Sequence, residues 1–463
     1  MSFWCETALI DGAPVAGVRL ELSPDARIER VSRGVLPDQT DTRLGTVVPG
    51  MANAHSHAFH RLLRGRTHAD GGDFWRWRTS MYAAAGMLDP EKYFTVARGV
   101  FAEMLAGGYT AVGEFHYLHH RSDGTPYLPP HAMELALAAA ARDVGIRLTL
   151  LDTCYLAGGF ARPLEHEQRS FGDGSANGWL GRWNSLSEAL GTDPAQLVTL
   201  GAALHSVRAV PVPAMKTILA ELPATVPLHI HLSEQPQENA DCLAAYGMTP
   251  TEVLGSLGAL TQRLSLVHAT HLTDSDIALV GASGATVVMC PTTESDLADG
   301  IGPARRLADA GARIALGSDQ NAVVDPLLEM RGLEMGERLA SGQRGRFDPS
   351  ELLEAATVGG YASLGLTAPG AAGNGRGVGL GVGAFRVGAL CDLVEINTTS
   401  TRTLGSFPAQ LPLTATASDV KRVIVHGRIV ADGGLLVSRD PASTPRRPDH
   451  LLAEAFAMLG NTN

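Results

Sequence analysis

Lysine is the residue that this chain of 463 amino acids most nearly lacks. It occurs three times, at Lys92, Lys216 and Lys421, so 34 of the 37 basic residues are arginines. Acidic residues outnumber basic ones and give a net charge of −11, a balance that argues against nucleic acid and anionic membranes as partners. We therefore expect neither nucleic acid nor a membrane among its partners.

Paired cysteines and long apolar runs are also absent from the sequence. The five cysteines (Cys5, Cys154, Cys242, Cys290 and Cys391) are odd in number and form no C-x-x-C motif, so neither a disulfide framework nor a thiolate zinc site is indicated. No run approaches the roughly 18 apolar residues of a membrane-spanning helix. The N-terminus has neither the basic nor the apolar region of a secretion signal. These features predict a soluble, cytoplasmic protein.

Short apolar runs alternate with helical segments from residue 46 to about residue 370. Segments such as HAMELALAAAARDVG, rich in Ala and Leu and closed by Gly145, are typical of helices. Continuous apolar strands predict a parallel sheet that is covered on both faces. Eight such units predict a TIM-like (β/α)8 barrel. The eight runs are 46–48 with 52–54, 109–115, 146–152, 197–204, 227–232, 264–267, 285–290 and 313–316.

The two flanks of the predicted barrel have a different pattern. Residues 1–48 and 371–445 contain short strand-like pieces, such as VRLELS and VKRVIVHGRIV, that are cut by turns. We expect these flanks to pair into one small β-sandwich domain beside a catalytic barrel at residues 49–370. The Gly-rich stretch 370–383 predicts a linker, and residues 446–463 predict a C-terminal helix.

Polar side chains follow the predicted strands, at the end where such barrels carry their active sites. His55 and His57 lie two positions apart on extended chain, so both imidazoles point to one face and can bind one ion. Asp319 ends the eighth strand, which neighbours the first strand in a closed barrel. Other polar residues that follow strands are Glu114, His116, His205, Arg208, His268, Thr292 and Glu294. One histidine in a strand is more often a core residue, but several at one mouth predict a metal site.

A third imidazole comes from the fifth strand, where the sequence leaves two choices. In HIHLSE, His229 and His231 share a face, and either could bind the ion. We prefer His231 because it lies nearer the end of the strand and three residues before Glu234. His229 would then be a core residue or a support for the ligands.

The scarcity of lysine bears on how many ions the site holds. Barrel hydrolases with two metal ions often bridge them with a carbamylated lysine, and no lysine lies at a predicted strand end. The P-C-x-x-C signature of cytidine-type zinc deaminases is also absent. We therefore expect one divalent ion. Imidazoles with a carboxylate suit Zn²⁺ and Fe²⁺, and we prefer Zn²⁺.

The motifs resemble the amidohydrolase superfamily, in the subgroup that holds one metal with a His-x-His pair, a strand-five His and a strand-eight Asp. Within it they are most similar to the formimidoylglutamate deiminases of histidine degradation. The matching pieces, which span the barrel, are PGMANAHSHAFHRLLRG, DFWRWRTSMY, GYTAVGEFHYLHH, HSVRAV, HIHLSEQPQE, LVHATHL, TTESDLADGI and LGSD. DFWRWRTSMY and EFHYLHH are the most specific of them, because a generic barrel deaminase has no reason to carry them.

The resemblance implies a role for each matching residue. It implies metal binding by His55, His57, His231 and Asp319, catalysis by Glu234, His268 and Asp319, and substrate contact by Arg78, Tyr117, His205 and Arg208. His60, where we expect Gln in several relatives, would face the substrate. The implied reaction converts N-formimino-L-glutamate and water into N-formyl-L-glutamate and ammonia, and relatives suggest a homodimer. The planar fork of arginine suits the two carboxylates of that substrate.

Two other functions fit parts of the same pattern. A deaminase of a purine such as guanine would keep the metal site but would stack the base on aromatic rings instead of clamping carboxylates. A non-catalytic barrel that serves in assembly would have lost a ligand or Glu234, and all are present. Since fold alone does not imply function, we keep the purine deaminase as the alternative and disfavour the assembly module.

Overall fold

The computed structural model describes residues 1–68, 74–191, 193, 196–367, 381–438 and 443–460. The strands are β1 (Ser2–Ile10), β2 (Ala13–Leu22), β3 (Ile28–Ser32), β4 (Thr42–Pro49), β5 (Met51–Ser56), β6 (Tyr109–His116), β7 (Arg147–Cys154), β8 (Val198–Ser206), β9 (Leu228–Leu232), β10 (Leu264–His268), β11 (Thr286–Met289), β12 (Arg313–Leu316), β13 (Leu393–Ile396), β14 (Val420–Val425), β15 (Arg428–Asp432) and β16 (Leu435–Leu436). The helices are α1 (Phe74–Gly86), α2 (Pro90–Gly107), α3 (Ala132–Val144), α4 (Ala176–Leu190), α5 (Val212–Glu221), α6 (Pro236–Tyr246), α7 (Pro250–Ser256), α8 (Asp274–Ser283), α9 (Pro291–Asp296), α10 (Ala304–Asp309), α11 (Pro326–Ser341), α12 (Pro349–Glu354), α13 (Gly360–Ser363), α14 (Leu411–Thr414) and α15 (Pro448–Met458).

The barrel consists of β5 to β12 in chain order, with each neighbouring pair parallel. It closes where Ser56, the last residue of β5, pairs with Asp319 after β12. Every residue of β6 and β7 is buried, because helices cover one face of each strand and the barrel interior covers the other. The predicted (β/α)8 barrel is confirmed.

The first predicted strand needs a correction. Residues 46–48 do not belong to the barrel but to β4, which pairs with β1 and β13 in a second sheet. The chain passes from that sheet into the barrel at Gly50, where a side chain would collide with Thr110 Oγ1. Both segments are apolar because both are buried, so hydrophobicity alone did not separate them.

The second sheet joins the two flanks of the chain. Its eight strands have the order β16-β15-β14-β13-β4-β1-β2-β3, and the flanks meet where Val48 of β4 pairs with Val394 of β13. The sheet curls, so that Ile28 of β3 donates to Ala389 just before β13 at 2.8 Å. It thereby encloses an apolar core that includes Phe3, Leu20, Leu393 and Ile424. The predicted pairing of the flanks into one small β domain is confirmed.

A buried ion pair fixes the small sheet to the barrel. Arg147, the first residue of β7, donates through Nη2 to Asp392 Oδ1 at 2.9 Å and through Nε to Asp392 Oδ2 at 2.5 Å. Both side chains are buried, and the bidentate fork offsets part of the cost of removing the charges from water. Because Arg147 begins its strand, this contact lies at the opposite end of the barrel from the strand-end histidines.

The C-terminal helix α15 lies inside the range predicted for it and packs on α2. Leu452 lies against Gly99, in the space that a side chain would fill, and Arg98 donates to Glu454 Oε2 at 2.6 Å. The predicted linker at 370–383 falls mostly outside the described residues. None of the helices in the described ranges is long and apolar enough to cross a membrane.

Candidate active site

Four donor atoms converge at the carboxyl end of the barrel. The Nε2 atom of His231 lies 3.2 Å from that of His55 and 3.4 Å from that of His57. Asp319 Oδ1 lies 3.2 Å from His55 Nε2 and 3.4 Å from His57 Nε2. A tetrahedral Zn²⁺ with ligands at about 2.0–2.1 Å has ligand–ligand edges of roughly 3.3–3.4 Å. These four spacings match four of the six edges of such a tetrahedron, so the four atoms could hold one metal ion.

Hydrogen bonds on the far side of two imidazoles fix their tautomers. His57 Nδ1 donates to the carbonyl of Phe115 at 2.9 Å, and His231 Nδ1 donates to the carbonyl of His205 at 3.0 Å. Burial lowers the pKa of His55, His57 and His231, which favours neutral rings. The Nε2 lone pairs of His57 and His231 therefore face one another at 3.4 Å. Neighbouring lone pairs repel unless a cation lies between them, so the donor set fits a bound metal ion.

His229 has a different partner from His231. Its Nε2 donates to the carbonyl of Ser363 at 2.9 Å, deeper in the barrel. Burial lowers the pKa of His229 to about 3, so its ring is neutral. This geometry supports the choice of His231 over His229 as the ligand from the fifth barrel strand.

The seam between the first and last barrel strands positions Asp319. Its N–H donates to the carbonyl of His55 at 3.0 Å, and its carbonyl accepts from the N–H of His57 at 2.9 Å. Ser318 and Asn53 are joined by a reciprocal pair of hydrogen bonds at 2.6 and 2.9 Å. At Gly317, a side chain would press on the backbone of His55. The close approach of these strands brings the carboxylate to the histidines.

His268 and Glu234 lie beside the four donor atoms. His268 Nε2 is 3.7 Å from Glu234 Oε1 and 3.9 Å from Asp319 Oδ2. His268 has φ 69°, and Ser233, directly before Glu234, has φ 49°. Left-handed backbone is uncommon for residues other than glycine, and such conformations cluster at functional sites. The geometry directs both side chains towards the site.

Charges around His268 determine its protonation. Burial alone would lower the pKa of His268, but Glu234, Glu294 and Asp319 together raise it to about 10. Burial raises the pKa of Glu234, against the opposing effect of His268 and Arg208. Burial likewise disfavours the Asp319 carboxylate, yet His55, His268 and His57 hold its pKa below the usual range. The site thus combines an imidazole that keeps its proton, His268, with one carboxyl group of raised pKa, Glu234, and one of lowered pKa, Asp319.

A small chamber of about 50 Å³ opens onto these groups. The residues that we expected to contact substrate all line it: His60, Arg78, Tyr117, His205 and Arg208. His60 Nε2 lies 3.0 Å from Tyr117 Oη, and the His60 ring lies 4.4 Å from the ring of His57. Burial lowers the pKa of His60 to about 3, so this side chain is a neutral part of the wall.

A wider cavity of about 610 Å³ lies outside the chamber. The two spaces share four lining residues, Arg78, Tyr82, Arg208 and Glu234, which therefore form a neck between them. Arg78 Nε donates to Tyr82 Oη at 2.7 Å. Two guanidinium groups at the neck favour an anionic group of a ligand.

Some strand-end residues do not face the mouth. His116 Nδ1 lies 3.3 Å from Tyr93 Oη of α2, whereas the neighbouring Phe115 ring lies 4.3 Å from the ring of His231. Glu114 Oε1 accepts from the N–H of Ala58 at 2.6 Å and so holds the 3-10 helix Ala58–Leu63 that carries His60. Side chains alternate along a strand, so only every second residue enters the barrel.

Sequence reasoning gave no role to several residues near the chamber. Glu294 Oε1 lies 3.6 Å from His268 Nδ1, and Tyr155 lines the chamber. Both follow barrel strands: the strand-end argument selected Glu294 without giving it a role, and it could have selected Tyr155. Gln168 is fully buried in the 3-10 helix His166–Phe171 and contacts two tyrosines. No pattern in the sequence marks Gln168, because its contacts come from distant segments.

Comparison with known sequences agrees with this geometry. The model of the amidohydrolase family matches residues 46–430. The formimidoylglutamate deiminase of Pseudomonas aeruginosa is 36% identical over 409 residues, covering 86% of each chain. A 5-methylthioadenosine/S-adenosylhomocysteine deaminase of Natronomonas pharaonis is 27% identical over 424 residues, covering 88% of this chain and 86% of the relative.

Solved structures show the same architecture. The crystal structure of an amidohydrolase from Brucella melitensis, 31% identical, superposes with a TM-score of 0.85 and covers 99% of both chains. An adenosine deaminase from Xanthomonas campestris with bound zinc, 24% identical, has a TM-score of 0.79 over 100% of this chain and 98% of its own, a likeness of fold. With a family match that spans most of the sequence, the chain belongs to the amidohydrolase family.

Proposed function

We propose that the chain hydrolyses N-formimino-L-glutamate to N-formyl-L-glutamate and ammonia. One observation carries the proposal: a tetrahedral set of imidazole and carboxylate atoms lines a chamber whose neck holds two arginines. The donor set suits a hydrolytic metal ion, and the arginines suit a substrate with carboxylates. The 36% identity to a formimidoylglutamate deiminase supports the same assignment.

His55, His57, His231 and Asp319 would hold one divalent ion, with Zn²⁺ preferred over Fe²⁺. Three nitrogens and one oxygen in tetrahedral spacing suit zinc. Among the described residues no lysine lines the chamber or the outer cavity, which supports a single ion. When bound, such an ion makes water a nucleophile near neutral pH.

Three residues around the ion site would move or hold protons. His268, whose raised pKa keeps it protonated at neutral pH, donates a hydrogen bond to the attacking oxygen and stabilises its developing charge. Glu234, 3.7 Å from His268, carries a proton to the departing nitrogen, which leaves as ammonia. Asp319 can accept a proton from the attacking water.

The charge of the substrate matches the charges along the chamber. Its amidine is a cation beside Glu234, whereas its two carboxylates need cationic partners. Arg78 and Arg208 at the neck supply them with planar donor forks. His60, Tyr117 and His205 line the chamber between the neck and the donor atoms, and we assign them contacts along the substrate. A cytoplasmic location, a homodimer and a place in histidine degradation belong to the same proposal and rest on resemblance.

A purine deaminase is the second candidate. The rings of Tyr117, Tyr155 and Phe171 line the chamber and could stack a base such as guanine. The Natronomonas pharaonis relative, named as a deaminase of adenosine derivatives, is 27% identical, against 36% for the formimidoylglutamate deiminase. The paired arginines favour the diacid over a neutral base.

Ammonia release separates the two candidates. Metal-loaded protein is assayed with N-formimino-L-glutamate, guanine and adenosine at equal concentrations. We expect turnover of the first alone, and kcat lower by about 10²–10⁴-fold in Glu234→Gln, whose shape is conserved but which cannot carry the proton. The metal content of that variant should equal that of the wild type. Turnover of a purine without turnover of the amidine would contradict the proposal.

A further inference from the structure

Gln168 joins two tyrosines that line the chamber. It lies in the 3-10 helix His166–Phe171, in the segment after β7, and is fully buried. Its Nε2 donates to Tyr82 Oη at 2.8 Å and to Tyr155 Oη at 3.0 Å. One amide group therefore determines where two hydroxyl groups lie.

The orientation of the Gln168 amide is fixed by its third contact. Its Oε1 accepts from the backbone N–H of Glu165 at 2.9 Å. Because a backbone N–H can only donate, the oxygen of the amide must face it and the NH₂ group must face the tyrosines. Both tyrosine oxygens are consequently acceptors in these hydrogen bonds.

The contacts around Tyr82 leave its hydroxyl hydrogen for a ligand. Its oxygen accepts from Gln168 and also from Arg78 Nε at 2.7 Å, so both lone pairs of the phenol are used. The hydroxyl of Tyr155 likewise accepts from Gln168. In the part of the chain that the structure describes, neither hydroxyl donates a hydrogen bond to a protein atom. Each is thus a donor that requires an acceptor.

The surroundings of these hydroxyls indicate what the acceptor is. Tyr155 lines the chamber, and Tyr82 lines both the chamber and the outer cavity, next to Arg78 and Arg208. Two phenol donors beside two guanidinium groups form a surface that offers hydrogen atoms and positive charge. Such a surface fits a carboxylate, which accepts several hydrogen bonds and gains strength from charge assistance.

We propose that Tyr82 and Tyr155 donate to a substrate carboxylate and that Gln168 is the positioning residue that turns both hydroxyls towards it. The inference rests on the proposed function, since it adds specificity residues to the site where N-formimino-L-glutamate would bind. Gln168 does not touch the substrate; it acts by occupying the acceptor sites of the two phenols. A side chain there without N–H groups would free the phenols to rotate.

The first experiment uses the metal-loaded variants Gln168→Met, Tyr82→Phe and Tyr155→Phe. Three substrates are compared: N-formimino-L-glutamate, N-formimino-L-glutamine, which lacks the γ-carboxylate, and 4-(formimidoylamino)butyrate, which lacks the α-carboxylate. We expect KM for the diacid to rise about tenfold in each variant, as for the loss of a hydrogen bond to a charged group, with kcat within about threefold. The rise in KM relative to the wild type should vanish for one of the two analogues. The carboxylate that this analogue lacks is the one that the tyrosines bind.

Equal losses for all three substrates would overturn the inference, because a purely structural role affects every substrate alike. Unchanged KM in Tyr82→Phe and Tyr155→Phe would overturn it as well. Matched controls are Gln343→Met, at an exposed site, and Tyr127→Phe, outside the chamber and outer cavity, and both should behave as the wild type.

A second variant and a second readout keep the test independent of folding and of the reaction. Gln168→Glu conserves the shape but offers acceptors, so the phenols would donate to it, and we expect KM to rise more than in Gln168→Met.

Calorimetric titration of the metal-loaded protein with glutarate measures carboxylate binding without turnover. Weaker glutarate binding in Tyr82→Phe and Tyr155→Phe would support the carboxylate role of the two tyrosines. This holds even if the wild type does not hydrolyse N-formimino-L-glutamate, because missing hydrolysis would contradict only the proposed function. Equal glutarate affinity in all variants would overturn the carboxylate role itself.

Discussion

The barrel carries two buried clusters of histidines and carboxylates that can be compared directly. The metal cluster, named for its proposed role, consists of His55, His57, His231 and Asp319. The network cluster consists of His116, His119, His120, Glu134, Asp152, Asp173 and Arg182. The metal cluster has close contacts between imidazole nitrogens, at 3.2 and 3.4 Å. The contacts of the network cluster join nitrogens to carboxylate oxygens, such as His119 Nδ1 to Glu134 Oε1 at 2.8 Å.

The difference lies in where the positive charge comes from. In the network cluster, Arg182 Nη1 donates to Asp152 Oδ1 at 2.9 Å and to Glu134 Oε1 at 3.1 Å. Burial alone would lower the pKa of His119, and Arg182 adds to that effect, but Asp152 and Glu134 raise it above the ordinary value. The network therefore contains its own cations, whereas the neutral rings of His57 and His231 in the metal cluster present lone pairs to each other. The same residue types thus serve two purposes, and the kind of contact distinguishes them.

The largest expected effect separates the clusters by metal content. His57→Ala should reduce bound metal from one ion per chain towards none and lower kcat/KM by about 10³-fold or more, since the ion supplies several kcal/mol of transition-state stabilisation. His116→Ala, at the end of the next strand, should keep one ion. Elemental analysis of both purified variants measures this. An equal loss of metal in the two variants would show that metal binding does not distinguish the metal cluster from the network cluster.

The next effect concerns stability rather than metal. Arg182→Met should lower the free energy of unfolding by about 3–5 kcal/mol, because it leaves Glu134, Asp152 and Asp173 as buried acids without their shared cation. Urea denaturation of the variant and the wild type gives this difference, with metal content as the second readout. A variant of unchanged stability would show that the network does not depend on the guanidinium.

A smaller effect is a pH dependence of opposite sign beside the two clusters. Burial, with Glu234 nearby, raises the pKa of Glu238 at the outer cavity to about 7 against the opposing charge of Arg208. Burial also disfavours the Asp173 carboxylate of the network, but His120 and Arg182 hold its pKa below the ordinary value. The first carboxyl binds its proton more tightly in the folded state, and the second binds it less tightly.

The signs follow from which state holds more protons. Glu238 costs stability as pH rises from about 4.5 to 7, so Glu238→Gln should gain up to roughly 3 kcal/mol above pH 7 and nothing below pH 4.5. Asp173 contributes stability that is present above its unfolded pKa and is lost as pH falls through its depressed folded pKa. Asp173→Asn should therefore be less stable at neutral pH, with the deficit shrinking in acid. Denaturation series at several pH values would contradict this contrast if both variants shifted in the same direction.

The smallest expected effect is at His60, which lies above the ring of His57 but outside the set of four donors. His60→Gln keeps a hydrogen-bonding side chain near Tyr117, whose Oη lies 3.0 Å from His60 Nε2. We expect KM for the amidine substrate to change by about fivefold or less, the size of one neutral hydrogen bond, and metal content to stay the same. A loss of the ion in this variant would move His60 into the metal cluster.

Local rules predicted the features of the site that depend on strand geometry. The spacing of His55 and His57, with side chains alternating along the strand, gave one shared face. The circular order of a barrel brought Asp319 next to them although the residues are far apart in sequence. The choice of His231 followed from its distance to the strand end. These rules depend on backbone periodicity, which determines which residues of a strand share a face.

The same rules could not settle features that depend on register or on distant packing. His116 and Glu114 end a strand like His57 does, but the position of β6 relative to its neighbours turns them towards the helices. Residues 46–48 are as apolar as a barrel strand and belong to the other sheet. Gln168 meets Tyr82 and Tyr155 only in the folded chain. Each of these outcomes requires knowledge of three-dimensional neighbours that hydrophobicity does not encode.

The seam between β5 and β12 links the proposed ion site to the folding of the chain. Asn53 and Ser318, whose side chains are hydrogen-bonded across it, are 265 residues apart in sequence, so the seam is among the costliest loops to close. Two of the proposed ligands, His55 and His57, lie on one side of it, and Asp319 lies on the other. A chain that has not docked its last strand offers an incomplete coordination sphere. An ion held by the residues proposed above would therefore favour closure of the ring, because its full binding free energy is gained only once the first and last strands have met.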